Sequence, residues 1–587
     1  MTRKQPSSIT LLSAPIALAM AVLVCGVDAP RHQPVTQPDV TSYIVQGSSI
    51  AEVSARLQQV GVLVTHELGI INAAAAELSL EQVSTLKAQA NGISIWKDHP
   101  VEVTGKPPKP PKDDDPTDGL PSMDFSKFVG ADRLHEEGVD GTGITVAIVD
   151  TGHYSQRGLN KNTSNQPRVL AQFDSHQNLL LESNPSANSD ENGHGTHVSS
   201  IVLNSTNLGS SQAPIYAGVA PNSDLVVINA FDRHGSSNYS DVIRGLQWIL
   251  DYHQDYGIRV VNLSFSAEPR SYYWDDPLNQ AVMRLWQEEL VVVASAGNRG
   301  PEAMTIGVPG NLPYVITVGA MSDNFTTEDL QDDVLTSFSS TGPTIEGFVK
   351  PEILAPGGHL KGVMAVTTEL ALTHPEFHDG SNFFVMSGTS QAAAVVSGIV
   401  ALVLQQSPEL TPDEVKYRLM ESARPAAFRY DNLVYSVFQQ GAGMVDAYAA
   451  VYSESTATAN RGLDIDLDLA DLAHFGGAAD AYPSNNSPSG YNFFVRDANG
   501  NPVEDNGFFW SDEYVFEDGF LWSDGFLWSD GFFWSDGFLW SDGFLWSDGF
   551  LWSDGFLWSD TFVEFEGFLW SDALTEATAV NVWVEQE

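Results

Sequence analysis

The sequence predicts an α/β fold on a doubly wound, mostly parallel sheet, with a small α+β unit before it and a repetitive tail after it. Three observations carry this expectation. Near-continuous Val/Ile/Leu runs recur through residues 120–452, at Ile144–Val149, Leu225–Ile228, Val260–Phe265, Leu290–Ala294 and Tyr314–Val318. Such runs suit strands covered on both faces. Segments of helical spacing fall between them, among them Asp241–Tyr252 and Pro277–Glu289, and alternation of this kind winds helices over both sides of a parallel sheet. Late in the domain Thr411 can cap a helix, with Pro412 at its first position and Glu414 completing a capping box.

Residues 40–104 form the small unit. Ser42–Gln46 alternates like a strand, and Ile50, Val53 and Leu57 share one helical face. Two apolar stretches flank Gly69, Leu80–Ala90 repeats the helical spacing, and Ile93–Val103 closes the unit as a strand. The order strand, helix, strand, strand, helix, strand predicts a ferredoxin-like arrangement. Residues 105–119 follow as a linker rich in proline and charge, stiff, wet and accessible to proteolysis. Residues 453–506 are acidic and rich in small residues, and are expected to be a spacer with one ordered piece.

The tail, 507–572, contains nine hexapeptides of the form GF(L/F)WSD, seven of them unbroken from Gly519 to Asp560, before a final segment 573–587. An even repeat stays in phase with a strand's period of two. Alternatively Ser-Asp-Gly turns the chain every six residues, with Phe-Leu-Trp as short strands that stack into a narrow solenoid. Rows of aromatics beside carboxylates suit a surface, a polysaccharide or calcium as partner.

The formal charge is −47, with 75 acidic and 28 basic residues, and from Asp497 onward there are twenty acids and no Lys or Arg. Such a surface repels nucleic acid and anionic membranes and fits a soluble protein working outside the cell. Arg3 and Lys4 precede the apolar run Leu11–Val24, so residues 1–29 are expected to be an export signal. Cys25 is the single cysteine. It precludes an internal disulfide and resembles the acceptor of a lipoprotein signal.

Three short segments carry chemistry, in chain order: Val149-Asp150-Thr151-Gly152 after a strand, Asn192-Gly193-His194-Gly195-Thr196-His197, and Ser387-Gly388-Thr389-Ser390 before a long apolar helix. A carboxylate at the C-terminal end of a parallel strand lies where α/β sheets place their sites. It can orient a histidine, which can take the proton of a serine at a helix N-terminus, where developing negative charge is favoured.

The segments VDTG, GHGTHV and SGTSQAAAVVSG resemble the signature blocks of the subtilisin-like serine protease family, in its Asp-His-Ser order, over residues 128–450. The resemblance implies a subtilisin-like fold and a secreted serine endopeptidase acting on proteins or peptides, with Asp150, His194 and Ser390 as catalytic triad. It also implies an inhibitory propeptide at 40–104, the enzyme's own intramolecular partner, and bound structural calcium whose ligands the sequence does not identify. No cofactor is implied for the chemistry itself. VVVASAGN resembles the strand that ends in the family's oxyanion asparagine, here Asn298. Ser264, Phe265 and Ser266 resemble the strand that pairs with substrate and lines one wall of the primary pocket, with Ala296 and Gly297 in the facing wall. Neither wall carries an acid, so an apolar or aromatic preference is expected. Gln391 and Ala394-Val395 depart from the family's methionine and proline-histidine, which affects packing of the serine helix. His197 is expected to be a packing or hydrogen-bonding residue rather than a second base, and His153, His176 and His234 surface residues. The competing reading is an adhesion protein in which the aromatic array binds and the α/β domain is a scaffold.

Overall fold

The computed structural model describes residues 40–89, 92–103, 122–181, 184–210, 215–324, 333–426, 434–484 and 491–496, with the backbone of four short tail strands. The expected export signal, Cys25, the expected 105–119 linker and the side chains of the repeats lie outside the described residues. In the tail, Leu521–Trp522 pairs antiparallel with Phe526–Leu527, and Phe538–Ser541 with Phe544–Leu545.

The N-terminal unit runs β1 (Val40–Gln46), α1 (Ile50–Gln59), β2 (His66–Leu68), β3 (Ala73–Ser79), α2 (Leu80–Gln89) and β4 (Ser94–Lys97), in the sheet order β2-β3-β1-β4. Every pairing in it is antiparallel, which is the split βαβ arrangement. Val53 and Leu57 of α1 pack on Val45, Ala74, Ala76 and Leu78, with Val83 and Leu86 of α2. The run Ile93–Val103 is not one strand. It breaks at Asp98-His99, and β5 (Pro100–Val103) leaves its own unit to pair elsewhere.

The main sheet has nine strands: β6 (Thr145–Asp150), β7 (Val169–Asp174), β8 (Leu179–Leu180), β9 (Asp224–Asn229), β11 (Ile258–Leu263), β13 (Val291–Ser295), β14 (Ile316–Ser322), β15 (Val334–Leu335) and β16 (Ile353–Pro356). The order is β15-β14-β13-β11-β6-β9-β7-β8, with β16 also on β14. Only the edge strands β15 and β8 pair antiparallel. The winding reverses beside β6, whose neighbours are β9 and β11, and a crevice at such a reversal is where open sheets bind ligands. Two short strands outside this sheet, β10 (Ser236–Asn238) and β12 (Phe265–Ser266), flank that crevice.

Helices α3 (His194–Leu203), α4 (Tyr239–Tyr256), α5 (Pro277–Gln287), α6 (Thr389–Gln406) and α7 (Pro412–Glu421) cover the sheet. Helix α6 is long and apolar enough to cross a membrane by length and composition, yet it is almost wholly buried in the protein core. Its all-round apolar sequence is that of a helix packed on every side. Asp276 caps α5 through the Leu278 and Asn279 amides, with Pro277 in the first turn. The Thr411–Glu414 capping box of α7 forms as the sequence predicts. The acidic stretch after the domain is more ordered than a spacer. It holds α8 (Ile465–Leu469) and a hairpin of β17 (Ala479–Pro483) with β18 (Tyr491–Val495). Asp468 is buried in this stretch, where it accepts from Tyr273, Tyr314 and His474.

Candidate active site

Asp150 ends β6, and Gly193 starts α3 one residue before His194. His194 Nδ1 lies 2.8 and 2.9 Å from the two carboxylate oxygens of Asp150, and both residues are buried. Nδ1 therefore carries the proton, and Nε2 is left as the acceptor. Nε2 is buried with no hydrogen-bond partner, so its lone pair is unsatisfied.

Ser390 lies in the first turn of α6, after Gly388 as N-cap. Its Oγ donates to the Ser264 carbonyl at 3.0 Å, so the serine–histidine bond is not made in this structure. Such bonds are often loose in free enzymes and tighten only with substrate bound. The serine backbone is held by a chain of hydrogen bonds. Ser397 Oγ donates to Asn262 Oδ1 (2.9 Å), Asn262 Nδ2 to Ser264 Oγ (2.8 Å), and Ser264 Oγ to the Ser390 carbonyl (3.0 Å).

Asn298 sits at the opposite lip. Its Oδ1 accepts from Thr389 N at 3.0 Å and Thr389 Oγ1 at 2.9 Å. Those bonds fix the amide orientation and leave Nδ2 buried without a partner. A donor held in this way is satisfied only by an oxygen arriving from outside.

Several contributors were not apparent from the sequence. Asp190 lies four residues before His194, and its carboxylate joins the two halves of the site. Oδ1 accepts from Thr151 Oγ1 (2.9 Å), Asn192 N (3.1 Å) and Gly193 N (2.7 Å), and Oδ2 from Thr196 N (2.9 Å) and Thr196 Oγ1 (2.5 Å). Thr151 in turn accepts from Gly195 N at 2.8 Å. The acid in the run SDENGHGTH was the signal for it. His197 is buried, bonds the Phe384 carbonyl at 3.1 Å, and burial together with His194 pushes its imidazole down to about 3. It is a neutral packing residue, as expected. His153 is not on the surface. It is fully buried, Nε2 bonds Asn160 at 2.8 Å, and burial lowers its basicity. His176 is exposed, as expected, and bonded to Asp241, which raises its basicity.

The crevice walls are β12 with Ser264 on one side and Ala294–Gly297 on the other. Phe265 and Ala296 are buried, and Ser266 is partly exposed. Strand β5 of the N-terminal unit lies between β10 and β12, antiparallel to both, with Val101 opposite Ser237 and Val103 opposite Phe265. Val103 N also donates to the Gly235 carbonyl at 3.1 Å. An extended segment of the chain thus occupies the crevice by main-chain pairing.

Among the described residues no group of three or more His, Cys, Asp or Glu gathers to hold a metal. One convergence of backbone carbonyls, from Gly158, Leu159, Lys161, Pro221 and Ser223, is taken by the guanidinium of buried Arg168. Those oxygens already have their cation, so they do not fit the calcium that the resemblance implies.

Residues 141–448 match the Subtilase family. The chain belongs to this family. It is a subtilisin-like serine endopeptidase, and relatives bear that name or chemistry. The serine protease AprX of Bacillus subtilis is 37% identical over 316 residues, 53% of this chain and 66% of that one. Subtilisin DY of Bacillus licheniformis is 30% identical over 334 residues, 55% of this chain and 96% of that one. Among solved structures, the subtilase fold is shared with fervidolysin from Fervidobacterium pennivorans, a keratinolytic enzyme related to subtilisin. The TM-score is 0.56 at 20% identity, over 80% of this chain and 69% of that one.

Proposed function

We propose that this subtilase is exported as a precursor and cleaves peptide bonds with Ser390 as nucleophile, His194 as general base and Asp150 as the group that orients it. The observation that carries this reading is the His194 imidazole. Two carboxylate oxygens hold its Nδ1, while Nε2 stays buried and unsatisfied beside the serine helix. Ser390 Oγ bonds to the substrate carbonyl carbon as its proton passes to Nε2. The oxyanion that forms is met by Asn298 Nδ2 and the Ser390 amide. The C–N bond then breaks, Nε2 gives its proton to the leaving amine, and water reverses the sequence to free the acyl group. Asp150 orients the ring and stabilises the imidazolium.

The N-terminal unit is the inhibitor of its own enzyme in this reading. The pairing of β5 with β10 and β12 supports it, as does the docking surface. There Asp98 accepts from Ser240 N and Oγ, and His66 reaches Asp241 at 2.9 Å. Maturation cuts the chain between the unit and the domain, in or beside the charged, proline-rich linker. Extracellular work is supported by the export-type N-terminus and the acid excess. The test compares wild type with Ser390→Ala, expressed as full-length precursors. Wild type separates into an N-terminal fragment and a casein-degrading domain, and the variant stays whole. A variant that matures at the wild-type rate without added protease rejects self-processing.

A further inference from the structure

The far end of the crevice is closed by the segment Ile306–Val308. Gly307 N donates to the Ala296 carbonyl at 3.0 Å, which ties the segment to one wall. Val308 and Ala267 exchange both backbone bonds at 2.9 Å, which ties it to the other. The Ser266 side chain fills the space these ties enclose. A methyl group added at Gly307 would stand 1.8 Å from Ser266 Oγ and 3.2 Å from its Cβ. One added at Gly297, in the facing wall, would stand 3.1 Å from the same Oγ. The hydroxyl is therefore wedged between two glycine backbones, in room that a side chain entering from substrate would need.

We infer that Ser266 is a specificity-determining residue. It shortens the pocket for the side chain just before the scissile bond, so that small residues such as Ala, Ser and Thr are accepted and aromatic rings are excluded. The inference rests on the protease reading above. Neither wall carries an acid, and Ser266 sets the size limit.

The experiment uses matured enzyme and peptide p-nitroanilides of one sequence, ending in Ala, Thr or Phe. Wild type is expected to favour Ala and Thr over Phe by about ten-fold or more in kcat/KM, a pocket-size discrimination of ordinary magnitude. Ser266→Gly opens the slot and shifts the Phe-to-Ala ratio by about ten-fold or more towards Phe, with Ser266→Ala between the two. A wild type that prefers Phe, or a ratio unmoved by Ser266→Gly, overturns the assignment even though casein is still digested. Failure of wild type to digest casein removes the protease reading as well, so the two failures are distinguishable.

Discussion

Removing the Asn298 side chain tests the oxyanion assignment most sharply. Its amide does two separable things. Oδ1 accepts two bonds from Thr389 and thereby ties the start of the serine helix, while Nδ2 is a buried donor with no partner. Asn298→Ala deletes both functions. Loss of one of two oxyanion donors lowers kcat by about 100- to 1000-fold, or about 2.7–4 kcal/mol of transition-state stabilisation, a magnitude measured in a subtilisin and carried over here. Leaving the Thr389 donors unpaired costs about 1–3 kcal/mol of stability in addition. Asn298→Asp separates the two effects. It keeps an acceptor for Thr389 but presents a carboxylate to the developing oxyanion. The assay is kcat and KM on a peptide anilide, normalised by active-site titration, with thermal unfolding in parallel. Both variants should lose kcat with KM changed by less than about three-fold, because the contact forms only in the transition state. Only Ala should lose substantial stability. A fall of less than about ten-fold in kcat for both variants refutes the donor role.

Three further outcomes follow from particular contacts. Asp190→Asn places an amide NH₂ against donors on either Thr151 or Thr196. It should lower kcat by about ten-fold or more while Asp190→Glu recovers little, as active-site titration with turnover kinetics would show. The N-cap of α4, Asn238, makes no side-chain cap bond, and Asp98 of the N-terminal unit accepts from Ser240 N at 3.0 Å instead. Asp98→Ala should therefore weaken inhibition by the separated unit by about ten-fold, the equivalent of a lost cap of about 1–2 kcal/mol. Asp276 is buried, and its carboxyl is pushed up to about 6 by burial, against about 3.9 in an unfolded chain. Between those values the folded protein holds a proton that the unfolded chain releases. Stability from this group is thus full below pH about 4, falls as pH rises to about 6, and is flat above. Asp276→Asn, in a Ser390→Ala background, should gain up to about 3 kcal/mol relative to its parent between pH about 4 and about 7 in denaturant unfolding. An equal effect at both pH values contradicts it.

The candidate catalytic segments were legible because each is local: a carboxylate after an apolar strand, a histidine and a serine at helix starts. The α/β winding was legible from runs such as Ile144–Val149 because a strand buried on both faces needs no polar alternation. The rest depends on contacts between distant parts of the chain. Nothing in Ile93–Val103 signals that its second half leaves one sheet for another, since Ile95 and Val101 are apolar in both settings. The acid count after Tyr452 suggested solvation, yet Asp468 is satisfied by hydroxyls of Tyr273 and Tyr314, almost 200 and over 150 residues earlier. His153 looked like a surface residue because its partner, Asn160, is across a turn that hydropathy does not register. In the substrate walls, Ser266 was named for its strand position. Its consequence for pocket depth appeared only when Gly307 came to stand beside it.

The whole mechanism requires that the hydroxyl of one serine be activated by His194. A fluorophosphonate probe reacts covalently with such a serine and with few others. Matured wild-type protein should take up one equivalent, mapped by peptide mass spectrometry to Ser390, and His194→Ala should abolish the uptake while leaving the fold intact by circular dichroism. Unmodified Ser390 in matured protein that digests casein, or undiminished labelling in His194→Ala, would contradict it.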